Sequence, residues 1–186
     1  MGLQHFQQAT PTKQGLYDGM SEHDACGVAW VATLTGKPSH DIVSKAILAL
    51  ENLEHRGASG SEPDSGDGAG ILIQIPDAFL RDEVSFELPP LGQYAVGTAF
   101  LPSDRGAEMA ARQHIAALAA EERLEVLGWR ELPTNHASIG KTAIGVMPRF
   151  AQLFVKARTG ASGMDLERMV FALRKRAEHE VAVYFT

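Results

Sequence analysis

The chain has 186 residues, 45% apolar, 22% charged and only 7% aromatic, which sets aside the disordered, collagen-like and disulfide-scaffold classes. Its 23 acidic and 17 basic residues give a formal charge of −6, and no stretch gathers the basic ones, so a nucleic-acid partner is disfavoured. Apolar runs fall short of the ~20 residues a membrane helix needs, and the single cysteine makes neither an internal disulfide nor a zinc site, which suits a reducing, cytoplasmic setting.

Residues 1–25 are polar and interrupted by Pro11, Gly15 and Gly19. They lack both the basic start and the apolar middle of a secretory signal. They read as a leader, with order beginning at Cys26. CGVAWVATL (26–34) is small, apolar and β-branched, and predicts a buried strand. A helix is expected over about 40–55, with Ile42, Val43, Ala46, Ile47, Leu50 and Leu53 in one stripe, Ser39 or Asp41 at its start and Gly57 at its end. The glycine-rich stretch 57–70 has no aliphatic residue larger than alanine and reads as a loop. GILIQI (70–75) predicts a short strand, and Pro76-Asp77 opens a short helix.

A turn at Pro89-Pro90 leads to a strand over 94–101. Residues 104–124 predict an amphipathic helix with Met109, Ile115 and Leu118 inward. Strands are expected over 124–132, 141–148 and 151–157. The segment 165–180 predicts a helix with Leu166, Met169, Val170 and Leu173 on one face, and VAVYFT (181–186) is of β type. Helices and strands alternate in bulk, so the class is mixed α and β.

Some apparent motifs carry no chemistry. NHASIGKT (135–142) ends like a phosphate-binding loop, but Asn135 stands where the first glycine is required, and strand is expected after Thr142 instead of helix. The spacing of Gly66, Gly68 and Gly70 misses the dinucleotide fingerprint by one residue. The seven histidines are scattered without metal-ligand spacing.

On residues alone, Cys26 has two readings. It can be a small buried hydrophobe, as most lone cysteines are. It can also be a nucleophile: removing the leader gives it a free α-amine, which titrates near 7.7–8.0 and so accepts a proton at neutral pH. Gly27 beside it lets another group approach the backbone closely. Arg56 has a similar pair of readings, a surface charge closing a helix or a bidentate fork for a carboxylate.

DACGVAWVA (24–32), followed by ALENLEHRGASGSEPDSGDGAGILIQIPDAFLR (49–81), resembles the opening of the glutamate synthase large-subunit family. That family begins with a class II glutamine amidotransferase domain of the N-terminal-nucleophile hydrolase fold. The likeness runs from about residue 20 onward and is weaker through 105–140; LERMVFALRKRAEH (166–179) also looks like a family helix. The resemblance implies an α+β fold, an αββα sandwich of antiparallel sheets between helices, here truncated. It divides the chain into a leader or propeptide, 1–25, and the N-terminal part of the amidotransferase domain, 26–186. Cys26 matches the nucleophile, exposed by cleavage after Ala25, and Arg56 matches the arginine that binds the glutamine α-carboxylate. Asp64 and Asp67 are given no catalytic role.

The resemblance further implies glutamine as substrate, hydrolysed through a γ-glutamyl thioester to supply ammonia for 2-oxoglutarate amination. FMN and an iron–sulfur cluster are implied for the full-length enzyme and neither for this segment. Partners are the remaining synthase domains of the same polypeptide and a small electron-transfer subunit. The sequence departs from the family in two respects: Ala29 stands where glycine is frequent, and the Asn-Gly oxyanion segment is absent. The chain is therefore expected to be a fragment, inactive alone. Two other readings are kept, an inert structural or interaction domain and the amidotransferase domain of another glutamine-dependent enzyme.

Overall fold

The computed structural model describes residues 27–57, 62, 66 and 68–186. Cys26, Asp64 and Asp67 lie outside the described residues, as does the leader. The described residues divide into two compact units, 27–57 with 66 and 68–71, and 62 with 72–186.

In the first unit, helix α1 spans His40–Asn52 and continues through a 3-10 turn, Glu54–Arg56. Ser39 occupies the N-cap position without a side-chain cap bond, and Asp41 pairs with Lys45 at 2.6 Å along the first turn. None of the α1 residues is buried. Gly57 does close the turn, but in extended backbone (φ −86°), so no left-handed cap is used. The strand expected over 26–34 is not formed by its described residues; Val28, Trp30 and Leu34 are exposed. A local apolar pattern gives extended preference, but a strand also needs a ladder partner, and none pairs with 27–33 among the described residues. The same correction applies to 70–75, where Ile71, Leu72 and Ile73 are exposed and unladdered.

The second unit is built on a four-stranded antiparallel sheet, order β2-β3-β1-β4. Strand β1 is Tyr94–Leu101, β2 Leu124–Glu131, β3 Arg149–Ala157 and β4 Tyr184–Phe185. β1 and β3 pair without interruption from Tyr94↔Lys156 to Leu101↔Arg149. The turn into β1 needs Gly92: Gln93 N–H donates to the Pro90 carbonyl at 3.0 Å, and Gly92 sits at φ +87°.

The side chains alternate between the two faces of the sheet. One face carries Ala95, Ala99, Leu101, Ala151, Leu153 and Val155 in a core with helices α3 (Arg105–Glu121) and α5 (Gly163–Arg176). The small side chains let both helices sit close. The other face carries Tyr94, Phe154 and Leu127 against Leu80 and Leu88, with Phe86 joining them. Leu80 belongs to helix α2, Asp77–Glu83, which matches the short helix expected after Pro76. A bulge between Val126 and Gly128 inverts the alternation of β2, so Val126 and Trp129 both face α3 and α5 while Leu127 faces α2. Gly128 then lies beneath the Phe86 ring; a Cβ there would stand 2.8 Å from its Cζ.

Helix α3 starts at Asp104, whose carboxylate accepts from the Ala107 N–H at 2.8 Å. Ile115 and Leu118 are buried as expected, but Met109 is exposed. The inward position is taken by the neighbouring Glu108, one step around the helix. Its buried carboxylate accepts from Arg112 at 2.6 Å and pairs with Arg149 at 2.8 Å, while the Arg112 guanidinium lies 4.6 Å over the Trp129 ring. A charge at that depth persists because it is paired on both oxygens.

The strand expected over 141–148 is replaced by a short helix, α4, Lys141–Val146. Its first turn is stabilised by the Ile144 N–H, which donates to Gly140 at 3.0 Å, and by a carboxylate from a distant part of the chain, Glu62. Helix α5 keeps Leu166 and Leu173 buried with Met169 and Val170 partly so, then widens into a π-type turn over Ala177–Val181. Ala182, at φ +56°, breaks the helix and turns the chain into β4.

Tyr94 pins α2 to the sheet: its hydroxyl donates to Asp77 at 2.8 Å, and Arg81 donates to the same carboxylate and to the Leu88 carbonyl. Burial, then the bond to Asp77, pushes the Tyr94 phenol up to about 12 from its ordinary value of 10. A folded value above the unfolded one gives stability that is complete below pH ~10 and is lost as pH rises through about 12. Unfolding free energy measured from pH 9 to 12 is therefore expected to fall across the upper part of that range, and Tyr94→Phe to lack this component. An identical alkaline slope in the variant would count against the pin.

Gly128→Ala is expected to lower stability by about 1–3 kcal/mol, because Phe86 is held edge-on to Phe154 at 5.2 Å and cannot swing away without opening the core. Denaturant titration checks this, and a change below about 0.5 kcal/mol would show that the ring moves freely.

Candidate active site

Arg56 ends the 3-10 turn that follows α1, so its backbone position is set by helix geometry. Its N–H donates to the Leu53 carbonyl at 2.8 Å, and the following Gly57 N–H donates to Glu54 at 3.0 Å. His55 Nδ1 lies 3.0 Å from the Asn52 carbonyl oxygen; since a carbonyl only accepts, that nitrogen carries the proton. Together these bonds satisfy carbonyls that a helix end leaves open. The Arg56 residue is exposed, and its guanidinium makes no ion pair among the described residues. A planar cation presented in this way can take a carboxylate from solution through two parallel N–H bonds.

Gly27, the residue following Cys26 in the chain, is packed against Leu53. A Cβ at position 27 would lie 3.1 Å from Leu53 Cδ2 and 3.3 Å from its Cβ. The expected close approach at Gly27 is therefore real, and the group that approaches is a side chain of the α1 end. Leu53 thus touches the backbone next to Cys26 and supplies the carbonyl that holds Arg56.

Sequence reasoning passed over two residues that the structure brings together, Glu62 and Thr142. Glu62 Oε1 accepts from Thr142 Oγ1 at 2.9 Å, and Oε2 from the Thr142 N–H at 3.2 Å. The one signal available was the GKT string at 140–142, set aside because strand was expected to follow. Helix follows instead, yet the string still lacks the first glycine of a phosphate loop, and its donors are taken by Glu62.

The second unit also has an open groove of about 550 Å³ between Ser85, Phe86 and the strand end Trp129–Glu131. Arg130 spans it, donating to Glu83 at 2.5 Å and to Gln152 at 3.1 Å. That cation is already paired. Among the described residues, no group of three or more His, Cys, Asp or Glu side chains could hold a metal ion. No helix among them is long and apolar enough to cross a membrane.

Substituting Gly27 by Ala is expected to destabilise by about 1–2 kcal/mol, and pairing it with Leu53→Ala to recover part of that loss, because the nearest atoms to the added Cβ, among the described residues, are those of Leu53. A double-mutant cycle by thermal unfolding checks this; strict additivity would show that the two residues do not press on one another.

Residues 26–185 match the family of class-II glutamine amidotransferases. The chain is 42% identical over 171 residues to the glutamate synthase [NADPH] large chain of Bacillus subtilis, covering 91% of this chain and 11% of that one. It is 41% identical over 175 residues to the ferredoxin-dependent glutamate synthase 1 of Arabidopsis thaliana, covering 92% and 11%. Identity to the glutamate synthase [NADH] of Saccharomyces cerevisiae is 36% over 186 residues, covering 93% and 9%. The chain thus spans about a tenth of the length of these relatives. With the match running from Cys26 nearly to the last residue, the chain belongs to the class-II glutamine amidotransferases.

Proposed function

We propose that this chain supplies the glutamine-hydrolysing part of a glutamate synthase, with Cys26 as nucleophile and Arg56 as the anchor for the substrate α-carboxylate. The observation that carries the reading is that the family match opens at residue 26, on the chain's one cysteine. Cleavage after Ala25 turns the Cys26 nitrogen from an amide into an amine. The thiol then attacks the side-chain amide carbon of glutamine, and the α-amine takes the thiol proton and passes it to the departing nitrogen. Ammonia leaves, a γ-glutamyl thioester remains, and water cleaves it to glutamate and free thiol. Arg56 holds the distant end of the substrate, fixing which carbonyl faces the thiol.

The division into a leader over 1–25 and an amidotransferase segment over 26–186 belongs to the same proposal, as does the αββα sandwich. The antiparallel sheet of the second unit, with helices packed on it, supports that fold. The ammonia would serve 2-oxoglutarate amination elsewhere in the polypeptide, in a reducing aqueous compartment. An iron–sulfur cluster does not fit this segment, since one cysteine cannot supply the four thiolates that such a cluster takes. FMN and cluster chemistry, and a small electron-transfer subunit, are assigned to the rest of the assembly.

The test is alkylation of the full-length polypeptide by a chloroketone analogue of glutamine, followed by peptide mass spectrometry. One label is expected, on Cys26, with loss in Cys26→Ser and protection by glutamine. Arg56→Lys, which breaks the bidentate fork, is expected to lower kcat/KM for glutamine about 10- to 100-fold, mainly through KM. Label on any other residue would overturn the assignment.

A further inference from the structure

Helix α1 ends without burial to hold it. None of its residues is buried, and in the turn that follows only Leu53 is partly so. A 3-10 turn also closes with poorer hydrogen-bond geometry than an α-helix and is used in short pieces. The course of the chain at Glu54–Arg56 therefore rests on individual hydrogen bonds.

Three such bonds cross the turn in succession. The His55 Nδ1–H donates to the Asn52 carbonyl at 3.0 Å, the Arg56 N–H to Leu53 at 2.8 Å, and the Gly57 N–H to Glu54 at 3.0 Å. The second and third are made by the backbone. The first is made by a side chain, so it is the one that residue type decides. It caps the last carbonyl of α1, one of those that a helix end leaves open.

The imidazole suits this task. It reaches back three positions, from His55 to Asn52, and closes a ring around Leu53 and Glu54. Closing that ring removes freedom from the backbone just before Arg56, where the stem of the guanidinium begins. A planar fork gains more from this than a point charge, since its two parallel N–H bonds need a fixed direction. The donor is present in the Nδ1–H tautomer and in the imidazolium alike, so the cap does not depend on the charge of His55.

We propose that His55 is a positioning residue of the amidotransferase site, capping α1 at Asn52 so that Arg56 meets the substrate carboxylate in a fixed direction. The role rests on the assignment of Arg56 to that carboxylate. His55 touches no substrate in this scheme, and everything it acts through lies within residues 52–56.

The test uses the full-length polypeptide. His55 is exposed, so His55→Ala removes the donor without opening a cavity. It is expected to raise KM for glutamine about fivefold, with kcat changed less than about twofold. His55→Asn places an N–H where Nδ1 stands, the same number of bonds from the backbone. It is expected to stay within about twofold of wild type on both constants. In an Arg56→Lys background the Ala effect is expected to shrink below about twofold, because an ammonium has no fork to aim. A second readout needs no activity: hydrogen exchange at the Arg56 amide is expected to quicken about fivefold in His55→Ala and not in His55→Asn. Unchanged exchange in His55→Ala would overturn the cap, and the role with it. Faster exchange with unchanged KM would overturn the positioning role alone. So would equal loss in the Asn variant, a KM effect confined to acidic pH, or full additivity with Arg56→Lys. Unchanged KM in Arg56→Lys itself would overturn the anchor, and the role with it, whatever the exchange result.

Discussion

The register of β1 against β3 is the constraint on which the second unit depends. The two strands occupy the middle of the sheet and pair along the whole of β1, so each residue's face is decided by parity. Ala95, Ala99, Ala151 and Ala157 fall on one side and leave room for α3 and α5; Tyr94 and Phe154 fall on the other and reach α2. A slip of one residue would send the alanines toward α2 and the aromatic rings into the helices. The polar anchors hang from the same register. Arg149, at the start of β3, reaches Glu108 of α3, and Tyr94, at the start of β1, reaches Asp77 of α2.

What could be read from sequence follows from how local each cause is. YAVGTAFL coincides with β1 because its pattern is apolar on both faces and a proline-glycine turn precedes it. Helices α3 and α5 were legible from their stripes, but Met109 was not: its apolar side chain competed for the inward phase with a glutamate that pairs with Arg112 one turn along and with Arg149, which is remote in sequence. Helix α4 was illegible for the same reason, since Lys141–Val146 has β-type composition and the carboxylate that favours its helix lies 80 residues away. For 27–34 and 70–75 the extended preference was legible, and the ladder that would make strands of them is not written in those residues.

The site was legible in a different way. Cys26 and Arg56 were singled out by the motifs around them, because neither a lone thiol nor a helix-end guanidinium is informative alone. Family membership rests on the whole span from 26 to 185, which no single motif could supply. The structure adds what the motifs omit, namely Leu53, which meets the Gly27 backbone and supports Arg56 through its carbonyl. A leucine in an amphipathic stripe gives no sign of such a task, since its spacing is that of any helix face.

The bulge in β2 has a consequence for solubility as well as for packing. β2 is an outer strand of the sheet, and the N–H and C=O groups on the side without a ladder partner among the described residues form a template that another chain could extend. A regular strand arriving there would match the ladder on only one side of Val126/Gly128, since the extra residue bends the strand and puts the two halves out of step. Charges at Glu125, Arg130 and Glu131 add a desolvation cost to any such pairing. The irregularity that lets Val126 and Trp129 share one core thus also discourages growth of the sheet into an aggregate.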